Sequence, residues 1–102
     1  MKTYEQIRQQ LINGEFEFTR HALRRTAERN IAEQEIRQAA ERAKIIEDYP
    51  EDKYTPSCLI LGFTIKQRPL HIQLSYTDTD MVRIITLYEP DPQEWIGFSE
   101  RR

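Results

Sequence analysis

Four arginines and a histidine fall between residues 20 and 29, in Arg20-His21-Ala22-Leu23-Arg24-Arg25-Thr26-Ala27-Glu28-Arg29. If this stretch is helical, His21, Arg25 and Arg29 stand at i, i+4 and i+8 and project from one face, with Leu23, Ala27 and Ile31 as the apolar stripe. Guanidinium groups suit phosphate oxygens, and an imidazole can move a proton near neutral pH. Lys66, Arg68, His71, Thr86 and Tyr88 extend the set further along the chain. Metal-independent RNA cleavage needs a base for the ribose 2′-hydroxyl, an acid for the leaving 5′-oxygen and a cation at phosphorus. The residues suffice for that chemistry. They equally describe an ordinary surface: Arg24 and Arg25 are spaced to pair with Glu28, His71 alternates onto a polar strand face, and Thr86 and Tyr88 are good strand formers.

Other chemistries are poorly served. The two histidines, at 21 and 71, have no metal-ligand spacing, Cys58 is the sole cysteine, and the three glycines, at 14, 62 and 97, form no phosphate loop. No metal or cofactor is therefore expected, and Cys58, in an apolar run, reads as a core thiol. With 102 residues, 38% apolar and 31% charged, the chain has room for one core. A mean hydropathy of -0.76 makes that core lean. The net charge of -2 argues against indiscriminate binding to nucleic acid or membrane, yet the cations cluster in residues 20–29 and an acidic group sits at Glu47, Asp48, Glu51 and Asp52. No signal peptide or membrane span is read, and a cytoplasmic location is expected.

The elements that must position these groups read as helices followed by a meander. Thr3 and Gln6 form a capping box before Tyr4, Ile7 and Leu11, and Asn13-Gly14 stops that helix. Glu15 to Phe18 alternates as an extended segment carrying two core phenylalanines. Thr19 caps the arginine helix, Asn30 ends it, and a third helix follows with the stripe Ile36, Ala39, Ala40 and Ala43. Strands are expected at Lys44–Tyr49, Ser57–Ile65, Leu70–Tyr76 and Met81–Tyr88, with a polar loop over 50–57. The second strand's inner face is read as Leu59, Leu61, Phe63 and Ile65 in the Ser57–Ile65 run. Leu70, Ile72, Leu74 and Tyr76 share one face of the next strand, and His71, Gln73 and Ser75 point to a partly open one. The expected architecture is α+β: helices over about 3–13, 20–30 and 32–43, a sheet of about four antiparallel strands over 44–88, and a tail from 89 to 102 holding Trp95 and Phe98.

Several phrases together carry a family resemblance: Phe18-Thr19-Arg20-His21-Ala22 leading to Arg29-Asn30-Ile31, Ile46-Glu47-Asp48-Tyr49-Pro50, Pro56 to Phe63, Arg68-Pro69-Leu70-His71-Ile72, and Ile85 to Pro92 with Trp95 after it. The chain resembles, from about Glu15 to Arg102, short bacterial proteins classed as a domain of unknown function and often encoded beside zinc-finger antitoxins of the YgiT/MqsA type. The resemblance implies a toxin of a type II toxin-antitoxin pair, similar to RelE-like and barnase-like ribonucleases. It implies catalytic roles for His21, Arg29, His71 and Tyr88 and substrate contacts from Arg68 and Thr86. Arg25 joins them by helix geometry and Lys66 by charge. Gln67 stands where a glycine is expected before Arg68-Pro69. The implied partners are RNA and a zinc-finger antitoxin, with no DNA binding by this chain alone. The alternative is a non-catalytic RNA-binding or protein-interaction module that uses the basic helix face.

Overall fold

The computed structural model describes residues 1–53 and 55–102; Tyr54, in the expected 50–57 loop, lies outside the described residues. Three helices come first. In α1 (Tyr4–Ile12) the Thr3 hydroxyl accepts from the Gln6 N–H while the Gln6 side chain accepts from the Thr3 N–H at 2.8 Å, and Ile7 and Leu11 are buried. After β1 (Phe16–Phe18), the Thr19 hydroxyl caps α2 (Arg20–Glu28) by accepting from the Ala22 N–H at 3.1 Å. Asn30, at φ 52°, makes the left-handed turn into α3 (Glu33–Ala40), which buries Ile36, Ala39 and Ala40.

Four strands then form an antiparallel meander: β2 (Lys44–Tyr49), β3 (Ser57–Phe63), β4 (Pro69–Ser75) and β5 (Val82–Tyr88). The architecture is α+β, as the order of elements predicts. The sheet has five strands rather than four, in the order β1-β5-β4-β3-β2, because Phe16–Phe18 joins it as a short edge strand parallel to β5. Residues 89–102 hold a second sheet of two strands, β6 (Trp95–Ile96) and β7 (Glu100–Arg101).

The helices bury one sheet face, where Cys58, Ile60, Leu70, Ile72, Leu74, Val82, Ile84 and Leu87 meet Ile7, Leu11 and Ile36. Strand β3 therefore presents Cys58 and Ile60 to this core; Leu59 and Leu61, read from the sequence as its inner face, are buried on the opposite face, while Phe63 and Ile65 are largely exposed. With every residue from Ser57 to Gly62 buried, period-two alternation had no polar side by which to set the phase. Helix α2 also differs from its expected stripe, because both of its ends are tied to the edge of β5. Leu23 is 58% exposed and Ala27 is exposed, whereas Ala22 and Ile31 enter the core.

Two details fix the sheet's geometry. A β-carbon on Gly62 would lie 2.1 Å from the Ala39 carbonyl oxygen, so α3 rests on β3 through bare backbone. Between β4 and β5 the register runs Gln73↔Thr86 and then Leu74↔Ile84, which leaves Ile85 as an extra residue. That bulge lets Ile84 and Leu87 both face the helices and puts Thr86 and Tyr88 on the other face, opposite Gln73 and His71.

The Gly62→Ala variant should lose about 3 kcal/mol, at the upper end of overpacking penalties, because backbone cannot rotate aside as a side chain can. Urea unfolding checks this: a midpoint like that of wild type would mean that α3 does not sit on Gly62.

Candidate active site

Strand β5 outruns β1, so its outer edge beyond Ile84 lacks a neighbouring strand. Helix α2 supplies the missing donors. The Thr19 N–H and hydroxyl donate to the Ile84 and Ile85 carbonyls, each at 3.0 Å, and Arg29 Nη1 donates to the Leu87 carbonyl at 2.7 Å. The same reach places the Arg29 guanidinium 5.8 Å from the centroid of the Tyr88 ring, a cation–π distance.

Tyr88 in turn meets His71, its register partner on β4. The Tyr88 hydroxyl is 3.2 Å from His71 Nδ1, and His71 Nε2 is 2.6 Å from the Phe98 carbonyl oxygen. A carbonyl can only accept, so Nε2 carries the ring proton. Burial pushes the His71 pKa below its usual value, partly opposed by the bond to Phe98. The neutral ring thus offers Nδ1 as a lone pair, and the Tyr88 hydroxyl donates to it. Burial raises the Tyr88 pKa, while Arg101 acts in the lowering direction.

The alternation of β4 places His71, Gln73 and Ser75 away from the helix core, but the face they occupy is not open at His71. The tail covers it: Trp95, only 3% exposed, stands edge-on to the imidazole at 4.4 Å, and His71 has no exposed surface. Among the described residues, the side chain that hydrogen-bonds His71 is Tyr88.

The other residues singled out by type lie in three settings. All three guanidinium nitrogens of Arg68 are engaged: Nη1 binds Glu35 at 3.1 Å and the Asn30 carbonyl at 2.9 Å, Nη2 binds the Arg29 carbonyl at 2.9 Å, and Nε binds Glu89 at 3.0 Å. It staples the end of α2 to α3 and β5, and so helps to place Arg29. Gln67 is left-handed at φ 66°, a conformation that favours the glycine expected at this position. Arg25 is half-buried, pairs with Glu28 at 2.5 Å and has a buried Nε without a hydrogen-bond partner among the described residues. His21 and Lys66 are exposed, and Thr86 is half-buried opposite Gln73. The structure joins Arg29, Tyr88 and His71; Arg68 reaches them through the Arg29 backbone.

Composition alone did not reveal that Glu35 and Glu89 hold Arg68, or that Trp95 and the Phe98 carbonyl enclose His71. Two aromatics in an otherwise polar tail were the available signal. An open depression beside Tyr88 is lined by Arg29, Arg68, Glu89, Asp91 and Glu94, so its two cations are outnumbered by three carboxylates. Among the described residues no group of three or more His, Cys, Asp or Glu is placed to hold a metal ion. Burial pushes the Cys58 thiol up to about 11, which keeps it protonated at neutral pH.

Arg68→Ala should cost about 3 kcal/mol, because it strands two backbone carbonyls and a half-buried carboxylate, and Arg68→Lys should recover only part of the loss. Chemical denaturation of the two variants tests this. Stability should also fall with acidity. A depressed histidine pKa contributes stability that is complete above the unfolded value of about 6.5 and is lost as pH falls through the lower folded value. Thermal melts across that window should slope in wild type and flatten in His71→Gln; parallel curves would contradict the assignment.

The family model for a domain of unknown function, DUF4258, matches residues 18–89. No curated protein and no solved structure matches the chain. The matched stretch holds α2, α3, the meander and the Arg29, Tyr88 and His71 group, and it stops where the tail over His71 begins. The chain belongs to the DUF4258 family.

Proposed function

We propose that this chain is a metal-independent endoribonuclease acting on mRNA, the toxin of a type II toxin-antitoxin pair, with Tyr88 and Arg29 at its reaction centre. The supporting observation is the sequence of contacts from the Arg29 guanidinium to the Tyr88 ring and from the Tyr88 hydroxyl to His71 Nδ1. In the proposed step the ribose 2′-hydroxyl gives its proton to Tyr88 Oη as Tyr88 passes its own to Nδ1. The 2′-oxygen bonds to phosphorus, the P–O5′ bond breaks, and the departing 5′-oxygen takes a proton from water. The products are a 2′,3′-cyclic phosphate and a 5′-hydroxyl, and the buried imidazolium returns its proton to solvent by way of Tyr88 Oη. Arg29 compensates charge on the phosphate oxygens.

Eight residues of helical rise separate His21 from Arg29 by roughly 12 Å. His21 is therefore assigned to a neighbouring nucleotide rather than to the scissile phosphate, with Lys66 as a further backbone contact. Arg25 and Thr86 lie outside the lining of the depression beside Tyr88 and are given no role at the scissile phosphate. Arg68, already neutralised by Glu35 and Glu89, positions Arg29 instead of binding phosphate. A cytoplasmic location and a zinc-finger antitoxin as partner belong to the same proposal.

One observation favours a second reading. Leu23, 58% exposed, lies with exposed Arg20, Arg24 and Ala27 on the outward side of α2, an apolar centre with a cationic rim that suits a protein partner. A non-catalytic module of this kind would bind in a salt-sensitive way without turnover, and Leu23→Glu would abolish the binding.

The purified chain should cleave RNA to cyclic-phosphate ends without added metal, and its expression should arrest growth. Tyr88→Phe and Arg29→Ala should each slow cleavage by about 100-fold or more, while His21→Ala should mainly raise KM. Absence of cleavage by wild type, or rates unchanged in both variants, would sink the catalytic proposal.

A further inference from the structure

We infer that Pro90–Arg102 is a positioning strap for the proton-transfer pair: its Phe98 carbonyl holds the Nε2–H tautomer of His71 and so keeps Nδ1 facing the Tyr88 hydroxyl as an acceptor. The inference rests on the reading of Tyr88 as the group that takes the 2′-hydroxyl proton. The segment lies beyond the stretch that matches the family, yet it makes the most intimate contacts that His71 has outside its own sheet.

The strap is built to aim one carbonyl. It leaves β5 through a turn in which the Gln93 N–H donates to the Asp91 carboxylate at 2.9 Å and the Trp95 N–H donates to the Asp91 carbonyl at 3.1 Å. Trp95 then fills the space beside the imidazole. Gly97 at φ 57° and Phe98 at φ 64° reverse the chain in two consecutive left-handed residues, the second of them an aromatic that pays for that conformation. This reversal brings the Phe98 carbonyl to Nε2. The Phe98 ring meets Phe63 at 6.3 Å, and Arg101 fastens the returning strand by an ion pair with Glu47 at 2.8 Å and a position 4.7 Å over the Trp95 ring.

The chemistry gives this arrangement a consequence beyond packing. Either nitrogen of a neutral imidazole can hold the proton, and a hydrogen bond at one nitrogen decides the state of the other. With the Phe98 carbonyl withdrawn, a share of the rings carries the proton on Nδ1, and those rings cannot accept from Tyr88. A neutral carbonyl orients the ring without placing a second charge beside it. A mere cover would affect activity only through the folded fraction, whereas a positioning strap affects the chemical step in protein that remains folded.

The test uses the full chain with ¹⁵N-labelled histidine, and reads the His71 tautomer from long-range ¹H–¹⁵N spectra beside RNA-cleavage kinetics. Three variants are compared. Arg101→Gln unfastens the strap at an exposed position. Gly97→Val forces a β-branched residue into a left-handed backbone where its β-carbon would meet no atom within 4 Å, so its effect is conformational. Phe98→Gly removes the ring but keeps the carbonyl and relieves the positive φ. Wild type and Phe98→Gly should hold the Nε2–H form alone. Arg101→Gln and Gly97→Val should show mixed tautomers and a kcat at least 10-fold lower with KM unchanged. A pure Nε2–H form with normal kcat in both unfastened variants would overturn the inference, and so would a rise in kcat, which would make the strap a lid. Should Gly97→Val fail to fold, the His71 tautomer in Arg101→Gln decides, because kcat in that variant also reflects the loss of a charge that acts on Tyr88 and His71. If wild type cleaves no RNA, the catalytic proposal fails by itself, and the strap is judged on the tautomers: a mixed state in wild type overturns it, and a pure state lost in Arg101→Gln sustains it.

Discussion

Strand β5 is longer than the strand beside it, and the carbonyls it leaves unpaired dictate where α2 must go. Backbone acceptors at the margin of a core need donors, and the chain provides them from both ends of one helix: Thr19 at the start and Arg29 at the finish. Parallel pairing of β1 brings Thr19 to Ile84 and Ile85, and the length of α2 then brings Arg29 to Leu87. The contact between Arg29 and Tyr88 follows from that backbone requirement. A residue that looked like a free cation on a helix face is held by the sheet edge, with its charge over an aromatic ring.

The remaining polar side chains near this edge are arranged around the same constraint. Arg68 binds the Arg29 and Asn30 carbonyls where α2 ends, and Glu35 and Glu89 balance its charge. Burial acts to raise the Glu35 pKa, but the Ala32 N–H and Arg68 outweigh it and hold the carboxylate below its usual value. Arg101 does the same for Glu47 on the far side of the tail, against a smaller opposing effect of burial. These pairs join segments distant in sequence, so each fixes a backbone position as well as a charge. The two sheet faces differ accordingly: one is an aliphatic core under helices, and the other is a smaller layer of Leu59, Leu61, His71 and Trp95 closed by the tail.

Local signals in the sequence were read well where the physics is local. The Thr3 and Thr19 caps, the left-handed Asn30, the buried stripe of α3 and the alternation of β4 depend on residues a few positions apart. Leu23 faces solvent because α2 is oriented by the β5 edge, and nothing in the helix's own composition encodes that edge. Leu59 and Leu61 face away from the helices, and a strand buried on both sides carries no phase in its sequence to show it. The tail's hairpin escaped because two strands of two residues have no period to detect.

The sequence by itself determined the order of the three helices and the four meander strands, the caps at Thr3 and Thr19, and the presence of arginine, histidine and tyrosine side chains able to handle a phosphate and a proton. It determined these because capping, turn formation and periodic burial act over one or two turns of chain. Only the tertiary structure decided which of those side chains meet. One extra residue at Ile85 turns Tyr88 rather than Leu87 toward His71, the unpaired edge of β5 draws Arg29 in, and the tail removes His71 from solvent. Each of these depends on pairing between segments far apart in the chain, where register and backbone satisfaction, rather than residue type, set the outcome.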